Sequence, residues 1–312
     1  MTYGVEKYQY ELVEDWAKLP KGWSFRDVGG ITIDKEDRVY VLNRSEHPII
    51  VLDRDGNLVH SWGEGFFSRP HGSCMGPDNS IYCTDDITHI VAKFTQGGKL
   101  LMTLGNKGEA TDTGYVQTFD SWESLARIVR GAPPFNRPAG VSISPKGEIY
   151  VADGYGNARI HKFSADGRML LSWGEPGGKP GQFRLPHSVR VDDRGHVWVV
   201  DRENHRIQIF DANGEFLSQW TDFVRPTDLF IDKDNTVYVS ELSKRVGIFT
   251  IDGKLLARWG NPGTKKEDAL FLSPHAIAVD SHGDIYVGEV SMTDMQVDRG
   301  PRTIQKFSRK RQ

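Results

Sequence analysis

An all-β fold, a six-bladed β-propeller, is what this sequence predicts, and three observations predict it. A repeat with a period of about 40–45 residues runs through the chain. Each copy holds four short runs in which apolar and polar residues alternate. The turns between those runs carry Asp-Gly or Asn-Gly, the usual mark of a tight hairpin.

One copy runs from Arg137-Pro-Ala-Gly-Val to Trp173-Gly174, and the next from Leu185-Pro-His-Ser-Val to Trp220. Related copies start near Val28, Arg69, Arg225 and Ser273. Within a copy the four strands are named a to d. Strand a follows the proline, as in Val141-Ser-Ile. A charged turn, Pro145-Lys-Gly-Glu, leads to strand b, Ile149-Tyr-Val-Ala. Strand c is Arg159-Ile-His-Lys-Phe, and the Asp166-Gly167 turn leads to strand d. The last copy supplies only three strands, beginning at His275, Asp284 and Thr303. Tyr10–Ala17 has the pattern of Lys254–Gly260, so the N-terminal strand is expected to complete blade six and close the ring, which removes unpaired sheet edges. A length of 312 residues would ordinarily suggest two domains, but the repeat argues for a single propeller spanning 1–312.

Composition narrows the function. Hydrophobic residues make up 38% of the chain and aromatics 11%, enough for a core. The net charge of −3, with both signs intermixed, gives neither a nucleic-acid footprint nor a polybasic membrane patch. The stretch Met1–Trp16 is polar, without the apolar run of a signal peptide, so a soluble, cytoplasmic monomer is expected. Cys74 and Cys83 flank a hairpin turn, and free thiols are expected in that compartment.

Antiparallel strands send the a–b and c–d turns to one end of the blades. The b–c loops and d–a linkers go to the other end, here called the top. All long connections belong to the top: 106–136, with one short helix expected between Thr118 and Arg130, then 175–184, 261–272 and 290–302. Long connections on a rigid scaffold are where binding concentrates, and 106–136 is a candidate lid.

The residue that opens strand a in each blade is, in order, Gly29, His71, Ala139, His187, Thr227 and His275. Histidine occupies alternate blades. Three imidazoles at one height on the innermost strands make a tripod for Zn²⁺ or a similar divalent ion, with an open position for a ligand. The other seven histidines share no register. The end of strand b offers Arg44, Asp85, Asp153, Asp201, Glu241 and Glu289 on the same face. The acids have a plain role as caps of the b–c loops. Arg44 could bind a substrate carboxylate, or pair with Asp85. Tyr155 and Arg202 follow just past strand b and could lean over the metal.

At these residues the chain resembles the peptidyl-α-hydroxyglycine α-amidating lyases, built on the NHL type of propeller repeat. The motifs are Arg69-Pro-His-Gly, Asp153-Gly-Tyr-Gly-Asn-Ala-Arg-Ile, Trp173-Gly-Glu with Pro180-Gly-Gln-Phe, Leu185-Pro-His-Ser, Asp201-Arg-Glu-Asn-His-Arg-Ile-Gln and Ser273-Pro-His. The resemblance implies a catalytic zinc on His71, His187 and His275. It implies an acid–base role for Tyr155, and substrate-binding or catalytic roles for Arg44 and Arg202. Ser273 and Ala276 stand where the family has a methionine and an acidic calcium ligand, which argues against a structural calcium. The expected activity is zinc-dependent cleavage of the C–N bond of an N-substituted α-hydroxyglycine, or of a related small α-hydroxy acid derivative that carries a carboxylate. The alternatives are a metal-dependent hydrolase or hydratase on the same histidines, and a non-catalytic NHL scaffold.

Overall fold

The computed structural model describes residues 2–265 and 269–310. Six antiparallel sheets, one per repeat, form the blades of a six-bladed β-propeller. The chain divides into two compact units, Met1–Glu64 with Thr227–Gln312, and Gly65–Pro226. The first holds blades one, five and six, and the second holds blades two, three and four.

Strand a opens at Val28, Pro70, Pro138, Pro186, Pro226 and Pro274. A proline at the first position costs no ladder hydrogen bond, which is why the Pro-containing motifs mark strand starts. The a–b turns are self-contained. Asp34, Asp192, Asp232 and Asp280 each accept the backbone N–H groups two and four residues on. The aromatic residue on strand b then donates to the same carboxylate from Tyr40, Trp198, Tyr238 or Tyr286. The recurring Tyr or Trp therefore buries its ring in the blade and spends its polar tip on the turn.

Blade six is completed by the N-terminus, as the repeat pattern requires. Tyr8–Val13 pairs antiparallel with Ile304–Arg309, with Tyr10 opposite Arg309. Thr2–Val5 adds a fifth strand outside it, which the repeat did not announce. Tyr10 stacks on Trp259, and Phe307 is fully buried beside them. Full burial of such a phenylalanine is worth ~1.5–3 kcal/mol. In the second unit, Phe183 and Phe210 pack with Tyr150 and Val199, and Phe135 and Phe163 with Val141 and Val151.

The 106–136 segment contains a helix at Ser121–Ala126, shorter than the expected span. Asp120 caps it by accepting the N–H groups of Trp122 and Glu123. Of the 261–272 linker, residues 266–268 lie outside the described set. Cys74 and Cys83 are free thiols. Ser73 is the residue opposite Cys83, and Cys74 is opposite Tyr82, so the two cysteines point to opposite faces of the hairpin.

The strand-b register differs by one residue from the sequence reading in blade one. Asn43, not Arg44, ends that strand and faces Val28, just as Asp85, Asp153, Asp201 and Glu289 face the prolines of their blades. Arg44 is thus the register mate of Arg202. The backbone N–H of each donates to the residue before strand a, Asp27 or Leu185. The offset has a backbone cause: pairing across the a–b ladder places Asn43 opposite Val28, and Arg44 falls one residue past the strand.

Candidate metal centre and proton-transfer site

His71, His187 and His275 are each the second residue of a strand a. Each sits where the a–b ladder slips. Pro186 faces Asp201 and Ser188 faces Val200, leaving His187 without an opposite residue. The same slip brackets His275 and His71. A bulge of this kind re-aims one side chain out of the sheet's alternation. It also needs room. A Cβ on Gly72, next to His71, would lie 2.5 Å from the Ala139 carbonyl oxygen of the neighbouring blade. Glycine there lets the two innermost strands approach.

That approach orients the imidazoles. His71 Nδ1 lies 2.8 Å from the Ala139 carbonyl oxygen, and His275 Nδ1 lies 3.0 Å from that of Gly29. Ala139 and Gly29 hold the same register position as the histidines, one blade further on. A carbonyl can only accept, so Nδ1 carries the proton and Nε2 keeps its lone pair. All three histidines are buried. Each offers one ring nitrogen, and these nitrogens lie within 4.8 Å of one another. Such a group could bind a metal ion. Buried imidazoles with carbonyl-fixed tautomers are the donor set that a zinc-like ion takes.

Tyr155 comes from the b–c loop of blade three, in Gly154-Tyr155-Gly156. Its hydroxyl lies 3.0 Å from His71 Nε2 and 3.1 Å from His187 Nε2. Arg202 Nη1 donates to it at 3.2 Å. Arg202 opens a single 3₁₀ turn after strand b of blade four, and its Nε donates to Glu203 at 2.8 Å. Burial favours the acid form of Glu203, but Arg202 and Arg225 outweigh it and hold that carboxyl below its usual range. Arg202 is raised despite a burial that works against its charge, because Tyr155 and Glu203 face it.

Arg44 lies at the top of blade one. Its Nη1 donates to Thr293 Oγ1 at 3.0 Å and sits 3.5 Å from Asp27. Its partner carboxylate is therefore Asp27, in its own blade. Asp27 also accepts the N–H groups of Met292 and Thr293 and so anchors the helix Ser291–Met295.

The strand-b acids are caps, but mainly of the d–a linkers rather than the b–c loops. Asp85 accepts from the backbone of Ser68 and Arg69, Asp201 from Arg184 and Leu185, and Glu289 from Leu272 and Ser273. All three also take b–c loop groups: Asp85 the backbone N–H groups of Ile87 and Thr88, Asp201 the side chain of Asn204, and Glu289 that of Arg299.

Two cations that the sequence reading passed over also face Tyr155. The guanidinium carbons of Arg69 and Arg137 lie 5.5 and 5.9 Å from its ring centroid, against 5.5 Å for Arg202. Both arginines stand two residues before the strand-a register position, in Arg69-Pro-His and Arg137-Pro-Ala. That recurrence was the signal available. Tyr115 Oη and Gln117 Oε1 of the 106–136 segment accept from Arg137 at 2.6 and 3.1 Å, bringing that segment against the same corner.

The NHL repeat family matches residues 135–163 and 183–210, which lie in blades three and four. The chain is 31% identical over 233 residues to the human NHL repeat-containing protein 3, covering 70% of this chain and 62% of that protein. It is 29% identical over 275 residues to peptidyl-α-hydroxyglycine α-amidating lyase 1 of Drosophila melanogaster, covering 79% of this chain and 47% of that one. The chain thus spans less than two thirds of the length of these relatives. Among solved structures, virginiamycin B lyase of Staphylococcus aureus superposes with a TM-score of 0.59 at 16% identity, over 96% of this chain and 88% of that one. That likeness is one of fold. Among the described residues, no helix is long and apolar enough to cross a membrane. By its repeats, its blades and its relatives, the chain is similar to the NHL-repeat propellers that include the α-amidating lyases.

Proposed function

We propose that this protein is a metal-dependent lyase that cleaves an N-substituted α-hydroxyglycine, or a related small α-hydroxy acid derivative, to an amide and glyoxylate. The observation that carries the reading is the Tyr155 hydroxyl. It is held at once by Arg202 and by the ring nitrogens of two of the three grouped histidines. The naming of several relatives as α-amidating lyases supports the same reading.

His71, His187 and His275 would hold the ion, a zinc in this reading. Bound there, it would supply Lewis-acid polarisation of the substrate hydroxyl. The protein's own groups do the rest. The substrate hydroxyl gives up its proton as its carbon–oxygen bond becomes a carbonyl. The C–N bond breaks, and the departing amide nitrogen takes up a proton. Tyr155 Oη is the atom that moves this proton, so no net proton is consumed. Arg202 donates to the Tyr155 hydroxyl and fixes its position. Arg44 binds the substrate carboxylate and sets the reacting carbon in place.

The test is to incubate zinc-loaded protein with a series of N-acyl-α-hydroxyglycines and measure glyoxylate and amide together. Equimolar release of both is expected, abolished by chelation. Absence of glyoxylate across the series would remove the reading.

A further inference from the structure

The corner around Tyr155 holds more positive charge than one substrate carboxylate needs. Four guanidiniums, from Arg69, Arg137, Arg202 and Arg225, are answered by two buried carboxylates. Asp86 takes both Arg69 and Arg137, and Glu203 takes both Arg202 and Arg225. An excess of two positive charges remains. Asp85, the next carboxylate, is occupied by the backbone N–H groups of Ser68, Arg69, Ile87 and Thr88.

Of the two arginines on Asp86, Arg69 is the accessible one, its side chain 30% exposed against 7% for Arg137, while Asp86 has no exposed side-chain surface. Arg69 spends Nε and Nη2 on Asp86. Its Nη1 makes no hydrogen bond among the described residues. Arg137 is pinned from the other side by Tyr115 and Gln117, and its buried Nε has no partner. Asp86 thus works as a rigid bracket. It holds two guanidiniums beside the Tyr155 ring and cannot neutralise both.

We propose that Arg69 and Arg137, bracketed by Asp86, form a second anion subsite that takes a carboxylate on the departing, amide side of the substrate. The substrate class is then dianionic: one carboxylate on the hydroxyglycine carbon, and another on the N-substituent. This specificity rests on the lyase reading above. The subsite explains why 106–136 reaches Arg137. A segment bonded to one of the two cations closes over the anion that they hold.

The experiment reads binding apart from turnover. Succinate and its monoamide, succinamate, serve as dianionic and monoanionic probes of similar shape. They are titrated by calorimetry into zinc-loaded wild-type protein and into Arg69→Gln and Asp86→Asn. Wild type is expected to bind succinate about tenfold or more tightly over succinamate at low salt. Arg69→Gln should abolish that preference and leave succinamate binding unchanged. Asp86→Asn removes the negative bracket charge yet keeps a hydrogen-bond acceptor, so it should strengthen the preference, a direction that mere loss of structure does not produce. Equal binding of the two probes by wild type, binding of neither, or a preference indifferent to Arg69→Gln would overturn the subsite. The two readings fail separately. A succinate preference without glyoxylate release from any substrate leaves the subsite and removes the lyase. Glyoxylate release without a preference does the reverse.

Discussion

The tops of blade one and blade four present the same residue at the same backbone position and surround it differently. Arg44 and Arg202 each follow strand b, and each donates its N–H to the residue before strand a. Arg202 is bonded to Tyr155 and Glu203, over a tyrosine ring that two other guanidiniums also face. Arg44 is bonded to Thr293 and paired with Asp27, at the start of a helix that only blade six contributes. Repetition fixes where an arginine stands, and the inserted loops decide what it touches. In the proposed reaction Arg202 would hold the Tyr155 hydroxyl and Arg44 the substrate carboxylate.

The largest expected effect lies outside both corners and calibrates them. His187→Ala should remove the metal, falling from near one zinc per chain to background by elemental analysis. The far-ultraviolet spectrum should stay that of wild type, because the imidazole projects from a bulge rather than into the core. Retention of full metal by the triple alanine variant of His71, His187 and His275 would contradict the centre.

Next comes Tyr155→Phe, which deletes one hydroxyl and leaves the ring among its cations. Turnover should fall by roughly 10²–10⁴-fold with little change in substrate affinity. Wild-type rates would take proton transfer away from Tyr155 and favour a metal-hydroxide hydrolase.

The comparison itself is tested by changing each arginine in turn. Arg202→Ala should act mainly on kcat, by about 10- to 100-fold, since it removes a charge-assisted bond to the catalytic hydroxyl. Arg44→Ala should act mainly on KM, and less for substrates lacking the carboxylate. Arg44→Lys should restore binding only in part, because an ammonium cannot make the two-pronged contact. Equal effects on kcat and KM in both variants would erase the distinction.

The smallest effect belongs to the 106–136 segment. Asp120→Ala removes the cap of its helix and should cost ~1 kcal/mol of local stability, read as faster amide exchange at Trp122 and Glu123. Exchange elsewhere in the blades should not change.

Much of this was legible in the residues. The alternation of His71, His187 and His275 needed only alignment of the strand-a starts, because each Pro marks a chain position with a fixed geometric consequence. Completion of blade six by the N-terminal strand followed from an incomplete last repeat, although the strand is Tyr8–Val13 rather than the expected Tyr10–Ala17. The row that ends strand b was less legible. Asn43 can replace Asp there because it serves the blade-one corner with its amide instead, bonding His47 and Pro48 carbonyls and the Ser45 N–H. Only the ladder pairing of Asn43 with Val28 shows that Arg44 lies one residue beyond that row. The grouping of Arg69 and Arg137 on Asp86 joins residues 17 and 51 positions from that carboxylate, and no local pattern reports that.

By itself the sequence determined the repeat, the strands, the turns and the register at which histidines recur, because these depend on alternation and turn chemistry within a few residues. The tertiary structure alone decided the tautomers of His71 and His275, which are set by carbonyls one blade away. It also decided the cationic surround of Tyr155. Both depend on how close neighbouring strands come, and that distance is set by packing at positions such as Gly72, where any side chain would collide with the next blade.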